Sequence, residues 1–524
     1  VIAAKIIKGF CLTILFLVCA GAFNNSKSQQ QPKPPKPIDW EDVAEWKKKV
    51  EANPDSLSYH TGFIKSIGWD GNLFVLERDH KSRYDSAEMI LEEQYKIWGK
   101  QFLKISTVHY AIGSAYWDHE SPKATPYLIK TAELDPKNAD ALFKLSIDAE
   151  RWGDSKSGSE FMRQASEADS SNPAYLFYYA ANFRHNNIEY YRAKVDELVN
   201  KFPTHERAAQ GLYWLAYETK SAEEKIKIYE ALRTKYPPEK FNWSESGMYG
   251  LFEQYMFTKQ YDKAIELSAS LISKRGWNDQ NVFAKGISKI QSLINSGEYR
   301  VAYDSITKIK NPRNSAVTDI LLLMEAELAD KTGNTKSGYE KLLIAHAKSP
   351  TDELAKYIFI YAQKIGKDEA AVNKDIWEIR NKTKKLAYPF DLGLYTSTEN
   401  TKLSDYKGKV VLLTFWFPGC GPCRAEFPHF ENVVKKFSKK NLAYLGINVL
   451  PNQDDYVMPF MKKTKYSFTP LKSTNDWAEK YYNVKGQPTN FLLDKEGNIV
   501  FAYFRTNQEN ERTLELMIDS LINQ

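Results

Sequence analysis

Val410 to Phe417 is an almost unbroken apolar, β-prone run, and it leads directly into Pro418-Gly419-Cys420-Gly421-Pro422-Cys423. The stretch reads as a buried strand, a short turn and the start of a helix. Pro422 falls in the first helical turn, where a missing N–H is harmless. Cys420 then sits at a helix N-terminus, where unpaired N–H groups and the positive end of the helix dipole favour a thiolate. Cys423 follows about one turn later, within disulfide reach. The chemistry implied is thiol–disulfide exchange: Cys420 attacks a disulfide and Cys423 resolves the mixed disulfide. A structural zinc site would need two more ligands, and no second Cys-x-x-Cys follows. A c-type haem site would need His after the second Cys, where Arg424 stands. The exchange itself needs no cofactor and no metal.

With 524 residues the chain is too long for one compact domain. A net charge of +6 is small for this length, so nucleic-acid binding is not indicated. The other two cysteines, Cys11 and Cys19, lie in an N-terminal apolar stretch. Residues 1–22 carry Lys5 and Lys8, then an apolar run closed by Ala20-Gly-Ala22, the pattern of a secretory signal peptide. Cleavage there leaves one Cys pair, which points to a reacting pair and not to a disulfide-stapled scaffold. Residues 23–38 form a polar, Pro-rich tether expected to be extended and disordered. The expected location is the periplasm or cell envelope of a bacterium, with membrane tethering left open.

Residues 39–105 read as helical, with Trp40, Trp46, Trp69 and Trp98, but without a clear repeat. From 106 to 380, helical periodicity recurs between similar segment endings at Pro136, Pro173, Pro203, Pro237, Pro312 and Pro350. Within units a Gly is followed five residues later by a small residue: Gly153/Gly158, Gly297/Ala302 and Gly333/Gly338, with Lys259 to Ala264 in the same form. Gly suits the turn between two helices, and the small residue lets them pack closely. These features resemble degenerate tetratricopeptide repeats, ~34-residue helix pairs that stack into a solenoid. About seven units are expected between Ser106 and Pro350. Stacked helix pairs usually present a concave surface, so a protein partner is expected on this arm. Residues 380–387 are basic and polar and read as a linker.

Residues 385–524 then read as an α/β domain. Leu442–Val449 is a second parallel strand, Asp454–Lys465 a helix, Pro488 to Ala502 a hairpin and Glu511–Ile522 a closing helix. This domain resembles the TlpA-like, redoxin-type branch of the thioredoxin superfamily. The resemblance rests on Pro389-Phe390, Leu403 to Lys409, Phe415-Trp416, Cys420-Gly-Pro-Cys423, Glu426-Phe-Pro428 and Gly486-Gln-Pro488-Thr489. It implies a thioredoxin-like fold with a cis-proline facing the dithiol, so that Trp416, Gly419, Gln487 and Pro488 border the substrate. It also implies that Glu426, one turn after Cys423, moves a proton for that sulfur. Thr414 stands where thioredoxins carry a buried Asp, and Gly419 where many relatives carry Trp. The Gly-Pro dipeptide between the cysteines is that of reducing thioredoxins. A thiol peroxidase is not supported, because the Pro-x-x-x-Thr-x-x-Cys pattern is absent around Cys420.

The expected protein is thus multidomain, an all-α helical-repeat solenoid followed by an α/β thioredoxin-like domain. It would be an exported thiol–disulfide oxidoreductase acting on protein disulfides and recharged by a thiol or membrane electron donor. The rival expectation is a repeat-type scaffold whose redox domain only senses or docks.

Overall fold

The computed structural model describes residues 38–69, 81–312 and 317–524. The expected leader 1–22, with Cys11 and Cys19, and nearly all of the tether 23–38 lie outside the described residues. Up to Thr383 the described residues are helical, joined by short turns.

Between Ser106 and Lys348 the described helices fall into seven successive pairs, from Ser106–Asp118 with Ala124–Leu134 to Thr318–Lys331 with Thr335–Lys348. An eighth pair, Asp352–Lys364 and Glu369–Thr383, follows. Each helix packs chiefly on its neighbours in sequence, as a solenoid requires. The turn glycines do what their spacing implied: Gly153, Gly297 and Gly333 all have positive φ. Lys259 takes the same left-handed conformation in its own unit without being glycine. The paired small residues sit where backbones meet. A Cβ on Gly338 would stand 2.9 Å from the Ala326 carbonyl oxygen, and one on Gly158 3.0 Å from that of Ser146. Pro173 opens its helix behind an Asn172 cap, and Asn138, Asp154, Asn187 and Asp368 cap others through side-chain oxygens. Ahead of the pairs, helices Trp40–Ala52, Leu57–Ser66 and Lys81–Gln101 bury Trp69 and Trp98, while Trp40 stays exposed.

The C-terminal domain is built on a six-stranded sheet in the order β1-β8-β7-β4-β5-β6. The strands are β1 (Lys385–Leu386), β4 (Val410–Trp416), β5 (Leu442–Asn448), β6 (Thr469–Lys472), β7 (Thr489–Leu493) and β8 (Asn498–Ala502). β2 (Asp391–Gly393) and β3 (Asn400–Lys402) form a separate ribbon. β4, β5 and β6 run parallel, and β7 pairs antiparallel with β4 and β8. Every residue of β4 is buried because the sheet is covered on both faces. Val410, Leu412 and Trp416 pack toward the helices Gly421–Val434 and Glu511–Ile522. Val411, Leu413 and Phe415 pack toward the helix Asn475–Tyr482. This period-2 division puts the end of β4 directly beneath the dithiol.

Residues 380–387 are not a linker. Arg380, in the last turn of the helix Glu369–Thr383, donates from Nε to Ala347 O (3.1 Å) and from Nη1 to Ser520 Oγ (3.0 Å), with its guanidinium over Phe501. Two residues past that helix, Lys385 and Leu386 join the sheet beside β8. A short, exposed edge strand has the polar composition of a linker, which is why its sequence misleads.

Candidate active site

Cys420 is the N-cap of the helix Gly421–Val434, and its Sγ accepts the Cys423 N–H at 3.2 Å. The two cysteines are joined as a disulfide, with Cα atoms 5.3 Å apart. In the reduced protein the same N–H would face a Cys420 thiolate, the arrangement that favours the charged form. Cys423 is fully buried and Cys420 only 4% exposed, whereas Gly421 and Pro422 face solvent.

Glu426 follows on the buried face of the same helix. Asn490 Nδ2 donates to one carboxylate oxygen (2.9 Å) and the Thr506 N–H to the other (3.2 Å), with Arg505 at 3.8 Å. Burial is the dominant influence and outweighs these three, so the carboxyl is pushed up to about 7. The carboxyl can therefore exchange a proton near neutral pH. Asn490 lies opposite Thr414 in the β4–β7 pairing. The buried polar group under the dithiol is thus carried by Glu426 and Asn490, while the Thr414 hydroxyl makes no hydrogen bond among the described residues.

Gln487–Pro488 is a cis peptide, as the resemblance implied. Pro488 is buried, and Gln487 is half-buried, donating from Nε2 to Asn475 Oδ1 at 2.9 Å. Trp416 departs from expectation. It is completely buried among Phe427, Phe460 and Phe468, with ring centroids 5.1–5.3 Å away, so it is a core residue and does not border the substrate in this state. The Gly419 N–H donates to Gln453 Oε1 at 2.6 Å, and Gln453 Nε2 donates to Glu120 Oε2 at 2.7 Å. The sequence reading missed Asn490, Gln453 and Glu120. Only Asn490 left a trace, as a polar residue two positions after Pro488, just ahead of the apolar end of its strand. Among the described residues, no group of three or more His, Cys, Asp or Glu side chains is placed to hold a metal ion.

Residues 384–502 match the AhpC/TSA family. The thioredoxin-like protein YneN of Bacillus subtilis is 34% identical over 131 residues, 24% of this chain and 76% of YneN. The chain belongs, through its C-terminal domain, to the thioredoxin-like proteins of the AhpC/TSA family. The thiol–disulfide oxidoreductase ResA of the same organism is 35% identical over 115 residues, 22% of this chain and 64% of ResA, so the chain spans less than two thirds of that relative. Among solved structures, a putative thiol:disulfide interchange protein DsbE from Chlorobium tepidum shares 30% identity, covering 26% of this chain and 96% of its own, with a TM-score of 0.25. These matches cover the thioredoxin-like domain.

Proposed function

We propose that this protein is an exported thiol–disulfide oxidoreductase that reduces protein disulfides through Cys420 and Cys423. The Cys420 thiolate attacks one sulfur of a substrate disulfide, forming a mixed disulfide and releasing the first substrate thiolate. Cys423 then gives up its proton and attacks Cys420 Sγ. That step releases the second substrate thiol and leaves the Cys420–Cys423 disulfide, so the enzyme loses the two electrons the substrate gains. A thiol or membrane-bound donor returns them. Glu426 takes the Cys423 proton, and Gly419, Gln487 and Pro488 border the substrate. The observation that carries this reading is the helix-capping dithiol with Cys423 N–H on Cys420 Sγ and a neutral-range carboxyl one turn further on.

Relatives named thiol–disulfide oxidoreductases support the same chemistry. Export rests on the leader pattern of residues 1–22, and no described helix is long and apolar enough to cross a membrane. Partner binding by the helical array rests on its stacked-pair architecture. The test is turnover of insulin disulfides by the full chain. Wild-type protein should reduce insulin with dithiothreitol as donor, and Cys420→Ser should fall to the rate of dithiothreitol alone. Wild-type activity no higher than that of Cys420→Ser would reject the reading.

A further inference from the structure

Several contacts bring the helical array onto the C-terminal domain, and one reaches the residue next to Cys420. Glu120, in the turn after the helix Ser106–Asp118, holds the left-handed conformation at φ 53°. A non-glycine residue pays about 1 kcal/mol or more for that conformation, so the turn spends stability to aim this side chain. Its Oε2 accepts from Gln453 Nε2, and its Oε1 faces Arg151 Nη2 at 3.3 Å. Gln453 is fully buried and its other end accepts the Gly419 N–H. A carboxylate only accepts, so it fixes the Gln453 amide the right way round for Gly419. A Cβ on Gly419 would lie 2.8 Å from Glu120 Oε2 and 2.9–3.0 Å from the Gln453 amide atoms. The space that a side chain at 419 would fill is occupied from the array.

We propose that Glu120 is a positioning residue for the dithiol: through Gln453 it braces the turn that carries Cys420, and it closes the rim beside Cys420 where residue 419 has no side chain. The array is then part of the site and restricts what reaches Cys420 to extended, slender disulfides entering past Gly421 and Pro422. This rests on Cys420 being the attacking sulfur. The charged and titratable groups gathered here are Glu120, Asp148, Glu150 and Arg151 of the array, Arg424 and Glu431 of the active-site helix, and Tyr456 and Tyr466. Removing the Glu120 charge leaves the local balance more positive and favours the Cys420 thiolate.

The experiment measures alkylation of Cys420 in the reduced full-length protein, read by peptide mass mapping, with iodoacetamide across pH and with a bulky maleimide. Glu120→Gln keeps the acceptor but not the charge, and should move the Cys420 alkylation profile to lower pH. Glu120→Ala, which removes the brace, should raise the maleimide-to-iodoacetamide rate ratio severalfold. Gly419→Ala, which displaces Glu120 from the opposite side, should do the same with the array's own sequence unchanged. Far-ultraviolet circular dichroism confirms that each variant is folded. An unmoved pH profile in Glu120→Gln, or an unchanged rate ratio in both Glu120→Ala and Gly419→Ala, overturns the proposal. Insulin reduction by wild type, run alongside, separates the two claims: its absence defeats the oxidoreductase reading while the alkylation data still decide the role of Glu120.

Discussion

Glu426 holds a buried carboxyl with two donors and one distant cation, and burial still prevails. Its folded pKa of about 7 exceeds the ordinary 4.5, so the native state binds this proton more tightly than the unfolded chain does. Stability from this group is therefore present below pH 4.5 and is lost as pH rises toward 7, by roughly 3 kcal/mol across that window. Urea melts at pH 5 and pH 8 should show this decline in wild type and a smaller one in Glu426→Gln. In the same variant the rate of disulfide exchange should lose its inflection near pH 7. Equal declines in both proteins would mean that Glu426 ionises normally. Glu426 stood out in the sequence because it matches an acid of the family the domain resembles, one helical turn beyond Cys423. Its partners Asn490 and Thr506 did not, because they arrive from a strand and a loop far along the chain. The same distance in sequence hid Gln453 and Glu120 from each other.

Helix pairs in the array were legible from two small features, a turn residue with positive φ and a small residue five positions on. The physical reason is local: the turn and the close approach are both made within one pair. These features predict different responses. Lys259→Gly should stabilise the array by about 0.5–1 kcal/mol, since glycine adopts the left-handed conformation without a Cβ clash. Gly338→Ala should destabilise it by about 1–3 kcal/mol, because the added methyl meets the Ala326 carbonyl and backbone must move. Thermal melts of the two variants check both signs. In the C-terminal domain the long buried strands β4 and β5 were equally clear. β6 and the helix Asn475–Tyr482 were not, because a four-residue strand with Pro470 in it has too little pattern to read. β1 was missed for another reason, since its two residues are exposed at the sheet edge.

At the scale of the whole molecule, the C-terminal domain is held along much of the array. Asp148 is buried and accepts from Thr125 Oγ1 (2.6 Å), Trp152 Nε1 (3.1 Å) and the Tyr456 hydroxyl, with Trp152 and Tyr456 edge-on at 4.5 Å. Asp154 pairs with Lys463 at 2.9 Å, Tyr217 accepts from Asn507 at 3.4 Å, and Asp352 takes a two-pronged contact from Arg512 at 2.9 and 3.0 Å. The contacts come from well-separated helix pairs of the array. Nothing local in the sequence announces these contacts, and the polar stretch at 380–387 argued for independence. Asp148→Ala takes the acceptor from the buried Tyr456 hydroxyl, while Trp152 Nε1 keeps Thr125 Oγ1 (2.9 Å) and Thr125 Oγ1 keeps the Pro122 carbonyl (3.1 Å), and should cost about 1–3 kcal/mol, lowering the urea midpoint of the full chain. An unchanged midpoint would show the two parts to be energetically separate. The central claim, that Cys420 is the attacking sulfur of a dithiol exchange, is tested most directly by trapping. Reduced full-length Cys423→Ser is mixed with a disulfide-linked peptide, and the products are mapped by mass spectrometry. The account predicts a mixed disulfide at Cys420 that persists until a thiol is added, and none with Cys420→Ser. No adduct at Cys420 would contradict it.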